Sequence, residues 1–330
     1  MFKKFLVLII PILLFTGCMN NKVDVIKKFK NKVGKLDSYQ IKGILEVTNN
    51  ETTYKYDIDV AYEKDEKYKV KLKNKTNDHE QIILKNQDGV YVLTPSLNKS
   101  FKFQSEWPYG NSGSYLYQAL INDIENDDNA KVEETKDGYI ITSKVNYPNN
   151  KDLVNQKIYL DKDVNIKKVE VLDKKGIVKV KMTYDKVKHN KDFDDDYFEL
   201  SSNIEVKDMD KKEQKTSKLT DVAYPLYIPD NTKLTNQETV STESGDRTIL
   251  TFNGDEPFTI IEEVANADDK YNTISVDGDF DFVVDVIGEI GDGQVSFTSN
   301  GVSYYAVSNT MDTAKLLEVV NSMSTIPVGK

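Results

Sequence analysis

Between residues 53 and 73 the chain alternates apolar and polar side chains, a period of two that fits a half-buried β-sheet and little else. Tyr54, Tyr56, Ile58, Val60 and Tyr62 alternate with Thr53, Lys55, Asp57, Asp59 and Ala61, and after a short break Tyr68, Val70 and Leu72 alternate with lysines. Further strands are predicted at 39–48, 80–85, 89–94, 98–103, 131–135, 138–146, 155–161, 166–172 and 177–187. Turn pairs such as Asp88-Gly89, Asp137-Gly138 and Lys175-Gly176 separate several of them. The pattern predicts an antiparallel meander with one oily face and one Lys/Asp face.

Helical spacing appears in two places in this half. Ile26, Phe29, Val33 and Leu36 form one stripe over 22–36, with Asn21 as a candidate cap; Leu116, Leu120, Ile121 and Ile124 form another over 112–125, introduced by Ser112 or Ser114. A sheet of ten or more strands with one apolar face has to curl around something. The expected fold is therefore mainly β with α: an incomplete barrel plugged by the two helices, over residues 22–205.

Residues 206–218 carry no apolar period and read as a linker. Charge marks the same boundary. Residues 22–205 hold 32 lysines against 32 acids, whereas residues 219–330 hold 5 basic residues against 19 acids, within a total of −10. Residues 219–330 are expected to form a small, acidic α+β domain. Strands are predicted near 247–253, 257–264, 281–287, 294–298 and 302–308, with a final helix whose face is Leu316, Leu317, Val320 and Met323 and whose cap is Asp312. The acidity makes this domain either a plain soluble module or a surface that steers a basic partner.

The first residues carry an address. Lys3 and Lys4 precede an apolar run from Phe5 to Phe15, too short to span a bilayer, and then comes Leu14-Phe15-Thr16-Gly17-Cys18. Residues 1–17 read as a signal peptide. Small residues before a cysteine resemble the bacterial lipobox, in which the thiol receives a diacylglyceryl group, and Cys18 is the one cysteine of the chain. The expected location is the cell membrane, lipid-anchored on its extracytoplasmic face. Lys27, Lys28, Lys30, Lys32 and Lys35 on the first helix would either lean on anionic headgroups or stay solvated. Forty-three of the 44 basic residues are lysine, Arg247 being the exception, a bias that fits an AT-rich Gram-positive genome.

Composition closes off most chemistry. A pI near 5.0 argues against a nucleic-acid binder, and two histidines with one cysteine leave no triad or His/Cys metal set. His79 and His189 are expected at the surface. The acidic strings Asp192, Asp194, Asp195, Asp196 and Asp277, Asp279, Asp281 lack the Gly and Glu of an EF-hand loop and are expected as solvated turns. No cofactor, metal or catalytic residue is predicted. The candidate site is the row Tyr54, Tyr56, Ile58, Val60, Tyr62, Tyr68, Val70 and Leu72, which either holds a hydrophobic ligand or is ordinary core. Trp107-Pro108 is either a lid on that face or an exposed anchor for a partner.

Pro95, Leu97, Asn98, Lys99, Phe101 and Phe103, followed by Trp107-Pro108 and the helix Tyr115 to Ile124, resemble the LolA/LolB/RseB-like lipoprotein superfamily. The resemblance is to its spore-former branch, the YdcC-like sporulation lipoproteins and GerS-like germination lipoproteins. Gly301 to Ser308 with Leu316 to Ser322 is similar to the accessory C-terminal domain of the two-domain type. The resemblance implies a LolA-like half-barrel and a non-enzymatic binding protein of sporulation or germination. Its implied partner is a cell-wall amidase or other cortex-modifying enzyme; the alternative is a lipid or lipoprotein carrier or an envelope-stress sensor.

Overall fold

A computed structural model describes residues 19–324 apart from 50, 109–112, 205–218, 220, 244 and 269. The signal peptide, Cys18 and the 206–218 linker thus lie outside the described residues. In chain order the first half runs α1 (Met19–Val33), β1 (Ser38–Asn49), β2 (Thr52–Glu63), β3 (Lys67–Asn74), β4 (Glu80–Asn86), β5 (Gly89–Thr94), β6 (Lys99–Phe103) and α2 (Tyr117–Glu125). It continues with β7 (Lys131–Thr135), β8 (Gly138–Lys144), β9 (Leu153–Asp161), β10 (Ile166–Asp173) and β11 (Val178–His189). The second half holds β12 (Tyr224–Pro225), β13 (Lys233–Thr242), β14 (Gly245–Asn253), β15 (Phe258–Val264), β16 (Asn272–Val276) and β17 (Asp279–Val283). It ends with β18 (Val286–Gly291), β19 (Gln294–Ser299), β20 (Val302–Val307), α3 (Thr313–Asn321) and β21 (Met323–Ser324).

The protein is mainly β. One mixed sheet of twelve strands has the order β16-β6-β5-β4-β3-β2-β1-β11-β10-β9-β8-β7, and a second, antiparallel sheet of seven has the order β13-β14-β15-β20-β19-β18-β17. Neighbouring strands of the large sheet pair antiparallel except at one edge, where β16 from the second half lies parallel to β6. The meander's two arms join where β1 pairs with β11, its partner well over a hundred residues away. That pairing shifts register at Lys42/Gly43. A Cβ on Gly43 would stand 1.9 Å from the Thr183 carbonyl oxygen, so only glycine fits this approach.

Register turns the period-two pattern into a continuous apolar row. Ile41 faces Val60, Val60 faces Val70, Val70 faces Ile83, Ile83 faces Val92, Val92 faces Phe101 and Phe101 faces Ile274. The helices cover this face: Val25, Phe29 and Val33 of α1 and Leu116, Tyr117, Leu120 and Ile124 at α2 share one core with it. On the opposite face, Ala61, Ile82, Leu84, Tyr91 and Leu93 pack beneath Phe198. Cross-strand pairs such as Lys42–Asp59 (2.8 Å), Lys55–Glu46 (2.9 Å) and Lys71–Glu80 (2.8 Å) lace the rest of it. Each exposed pair contributes roughly 0.2–1 kcal/mol, so the apolar row dominates.

Several local expectations change. Helix α1 starts at Met19, so Asn21 lies inside it rather than capping it. Helix α2 starts at Tyr117 with Leu116 at its cap position, and Ser114 instead lends its carbonyl to the Tyr184 hydroxyl (2.7 Å). Asp312 does cap α3, accepting from the Lys315 amide at 2.8 Å. The segment expected as one strand at 281–287 is two, β17 and β18, reversing at Val284 with φ 55°. Strands β13 and β16 carry no alternation of burial, being exposed almost throughout, and the sequence pattern does not signal them.

Candidate functional site

The structure places the Tyr row on one face, and that face is filled from within. Tyr56, Ile58, Val60, Tyr68, Val70 and Leu72 are buried in the main core, with Tyr54 and Tyr62 half-buried against it. A chain of ring contacts crosses the face. Phe29 meets Tyr117, Tyr117 meets Tyr39 (4.8 Å), Tyr39 meets Tyr62 (5.0 Å), and Tyr62 meets Tyr68 (5.0 Å). Tyr68 then meets Trp107 (5.6 Å), which meets Phe280 (6.1 Å). Trp107 and Pro108 are both buried, so this pair packs on the face like a lid instead of standing out as an anchor. Burial, with the Asp285 charge second, raises the Tyr56 phenol far above its ordinary range, and its hydroxyl has no hydrogen-bond partner.

The hairpin β17–β18 of the second half closes the far end of the face, which the sequence did not foretell. Phe282 lies 5.6 Å from Tyr56 and Phe280 lies 5.2 Å from Phe103. Polar ends of the first-half strands hold the hairpin's backbone. Asn49 donates to the Val284 carbonyl (2.6 Å), while the Gln81 amide accepts from the Ile287 N–H (2.6 Å) and donates to its carbonyl (2.9 Å). Buried Asp285 accepts from Ser299 (2.7 Å) and Asn77 (3.2 Å).

The D-x-D-x-D string therefore divides in two. Asp277 is exposed, as a solvated turn would be, but Asp279 accepts from Ser105 (2.7 Å) and Asp281 accepts from Asn149 (3.2 Å) across the junction. Burial pushes the Asp281 carboxyl up to about 6, against the pull of its bonds from the Phe282 amide and Asn149, with the Asp279 charge adding to the rise. The alternation Phe280-Asp-Phe282 was the signal available for this docking. By contrast Asp192, Asp194, Asp195 and Asp196 are exposed.

Neither histidine is at the surface as expected. His79 is half-buried with its Nε2 unpartnered, and His189 sits 3.4 Å from the Tyr117 hydroxyl; burial lowers both pKa values. Among the described residues no group of three His, Cys, Asp or Glu could hold a metal. On α1, Lys30 pairs with Glu125 and Lys32 bonds the Asp163 carbonyl (2.9 Å), which leaves Lys27, Lys28 and Lys35 as the exposed part of the lysine face. Among the described residues no helix is long and apolar enough to cross a membrane.

Comparison with known proteins gives one strong relationship. The family of YdcC-like sporulation proteins matches residues 2–198. Sporulation protein YdcC of Bacillus subtilis (strain 168) is 32% identical over 327 residues, covering 97% of each chain. Structural matches are more distant. The Pseudomonas aeruginosa MucA/MucB complex aligns at 11% identity and TM-score 0.33, over 92% of this chain and 100% of that one. The Clostridioides difficile CwlD amidase–GerS lipoprotein complex aligns at 22% and 0.29, over 52% and 94%. A LolA superfamily protein from Nitrosomonas europaea aligns at 10% and 0.26, over 88% and 92%.

Proposed function

This chain belongs to the YdcC-like family of sporulation proteins, and from that premise we propose that it is a membrane-anchored, non-enzymatic adaptor acting in sporulation or germination. Its partner is a cell-wall enzyme that modifies the spore cortex, the class implied by the family resemblance. In this reading Cys18 carries the lipid, and the large sheet curls as a half-barrel around α1 and α2. Residues 206–218 link it to the acidic second domain. Tethering confines the protein to the outer face of the membrane, which raises the effective concentration of whatever it binds without any new contact.

One observation carries the choice of adaptor over carrier. A carrier needs space behind the Tyr row for an acyl chain, whereas here the row is packed against the protein's own α1, α2, Trp107 and the hairpin around Phe280 and Phe282. Oily sheet faces covered from within are stable as they stand and do not call for a ligand.

Affinity capture from sporulating cells, with mass spectrometry of both proteins and lipids, tests the reading. A peptidoglycan hydrolase or amidase recovered near one-to-one, without matching lipid, is the expected result. Lipid recovered one-to-one without such an enzyme would overturn the adaptor. Labelled palmitate should mark the wild-type chain and not Cys18→Ala.

A further inference from the structure

The apolar row of the large sheet runs Ile41, Val60, Val70, Ile83, Val92, Phe101 and then Ile274, where the sheet ends. Ile274 is 38% exposed on an edge strand that pairs with nothing on its other side among the described residues. The Asn272 N–H donates to the Asn98 carbonyl at 2.9 Å. Residues of a parallel strand face alternate neighbours, so the backbone groups of Thr273 and Ser275 point to the free edge. Open ladder groups of this kind are a template for another strand.

Beside that edge lies an apolar pocket of about 230 Å³ between the two halves of the chain. Phe101, Phe103 and Ile274 form one wall, and Ile287, Phe297 and Tyr305 form the other. Its polar groups are already used: Gln81 bonds the Ile287 backbone twice, and Ser296 donates to Glu289 (2.9 Å). The volume is below the ~300–1,000 Å³ typical of a drug-sized site, a size for one side chain and not for a ring system. Tyr305 at 40% and Val307 at 42% exposed extend the apolar surface beyond it.

Charge completes the description of the occupant. Residues 219–330 hold 19 acids against 5 basic residues, and exposed Asp277 directly follows β16. The nearby Lys99 is taken by Asp268 (3.4 Å) and Lys102 lies over the Tyr91 ring, whereas Lys270, two residues ahead of β16, is exposed.

We propose that the free edge of β16 and the adjoining pocket are a docking site for an extended peptide segment with one bulky apolar side chain flanked by basic residues. The segment adds a strand beside β16, its backbone meeting Thr273 and Ser275, and its apolar side chain continues the row past Ile274 into the pocket. Main-chain bonds supply affinity and the pocket supplies selectivity. This site rests on the adaptor reading and gives its partner a chemistry.

The test is fluorescence anisotropy of labelled pentapeptides Lys-Thr-X-Thr-Lys with the full chain. Leu or Phe at X binds, and Ala at X binds weaker by on the order of tenfold or more. Affinity falls with added salt, because the acidic surface attracts the lysines. Ser275→Pro removes an outward amide without touching the β6 ladder, and Ile274→Asp spoils the pocket wall. Each weakens the Leu peptide at least about tenfold while circular dichroism stays unchanged. If Ser275→Pro alters the fold, Tyr305→Ser reads the pocket alone. Equal binding of Leu and Ala peptides, full binding to these variants, or no binding of any peptide at millimolar concentration overturns the site. Recovery of a wall enzyme equally by wild-type and Ser275→Pro chains would remove this site and leave the adaptor standing.

Discussion

Glu262 should make the seven-stranded sheet of the second half lose stability as pH rises, and Glu262→Gln should abolish that loss. The side chain points from β15 into the core of the second half, between Thr248 and Tyr304 in the ladder, and is wholly buried. One carboxyl oxygen accepts from the Ala223 amide at 3.1 Å and the other has no partner. Burial pushes its pKa from an ordinary 4.5 up to about 7, and the Ala223 bond offsets only part of this.

The folded chain thus holds this proton more tightly than the unfolded chain. Its stabilising effect is complete below about pH 4.5 and is lost as pH climbs through 7. At about 1.36 kcal/mol for each tenfold difference in proton affinity, the full loss is about 3 kcal/mol. Between pH 5 and 8 the change is on the order of 2–3 kcal/mol, or 30- to 100-fold in the opening equilibrium. Hydrogen exchange read by mass spectrometry, corrected for intrinsic rates, measures this on the strands β14 and β15 and on segment 223–227. Protection of the wild type should fall with pH while that of Glu262→Gln, which stays neutral, remains flat. Parallel pH profiles for the two chains would refute the reasoning.

Other expectations concern the junction and the sheet. Asp281, raised to about 6 by burial, favours docking of the hairpin when protonated, so protease sensitivity of residues 279–287 should rise from pH 5 to 7 in the wild type and stay level in Asp281→Asn. Phe280→Ala removes a ring packed on Phe103 and Trp107 and should cost about 3–5 kcal/mol, with a red shift of Trp107 fluorescence. Gly43→Ala forces a methyl group into the Thr183 carbonyl and should cost at least about 1–3 kcal/mol, seen as a melting temperature lower by several degrees.

What could be read in the residues was what neighbours a few positions apart can decide. Alternation at Tyr54 to Tyr62 and Tyr68 to Leu72 set the strands and their oily face, helical spacing at Phe29 and Val33 set α1, and Asp312 marked the start of α3. The burial of most of the Tyr row follows from that pattern, because one oily face must be covered by something. What covers it is a different question. The hairpin at Phe280 and Phe282 and the exposed strand β16 are far in sequence from the surfaces they join, and the two-residue turn Val284-Asp285 left no Gly or Pro to announce it.

Local patterns therefore determined strands, faces and helices in this chain, since side-chain period and capping act within a few residues. Only tertiary structure decided that β1 meets β11, that β16 crosses into the first sheet as its edge, and that Asp279 and Asp281 become junction contacts and not solvated turns. The physical reason is that burial and register over such separations are won by the packing of the whole chain, and no short stretch of residues carries that information.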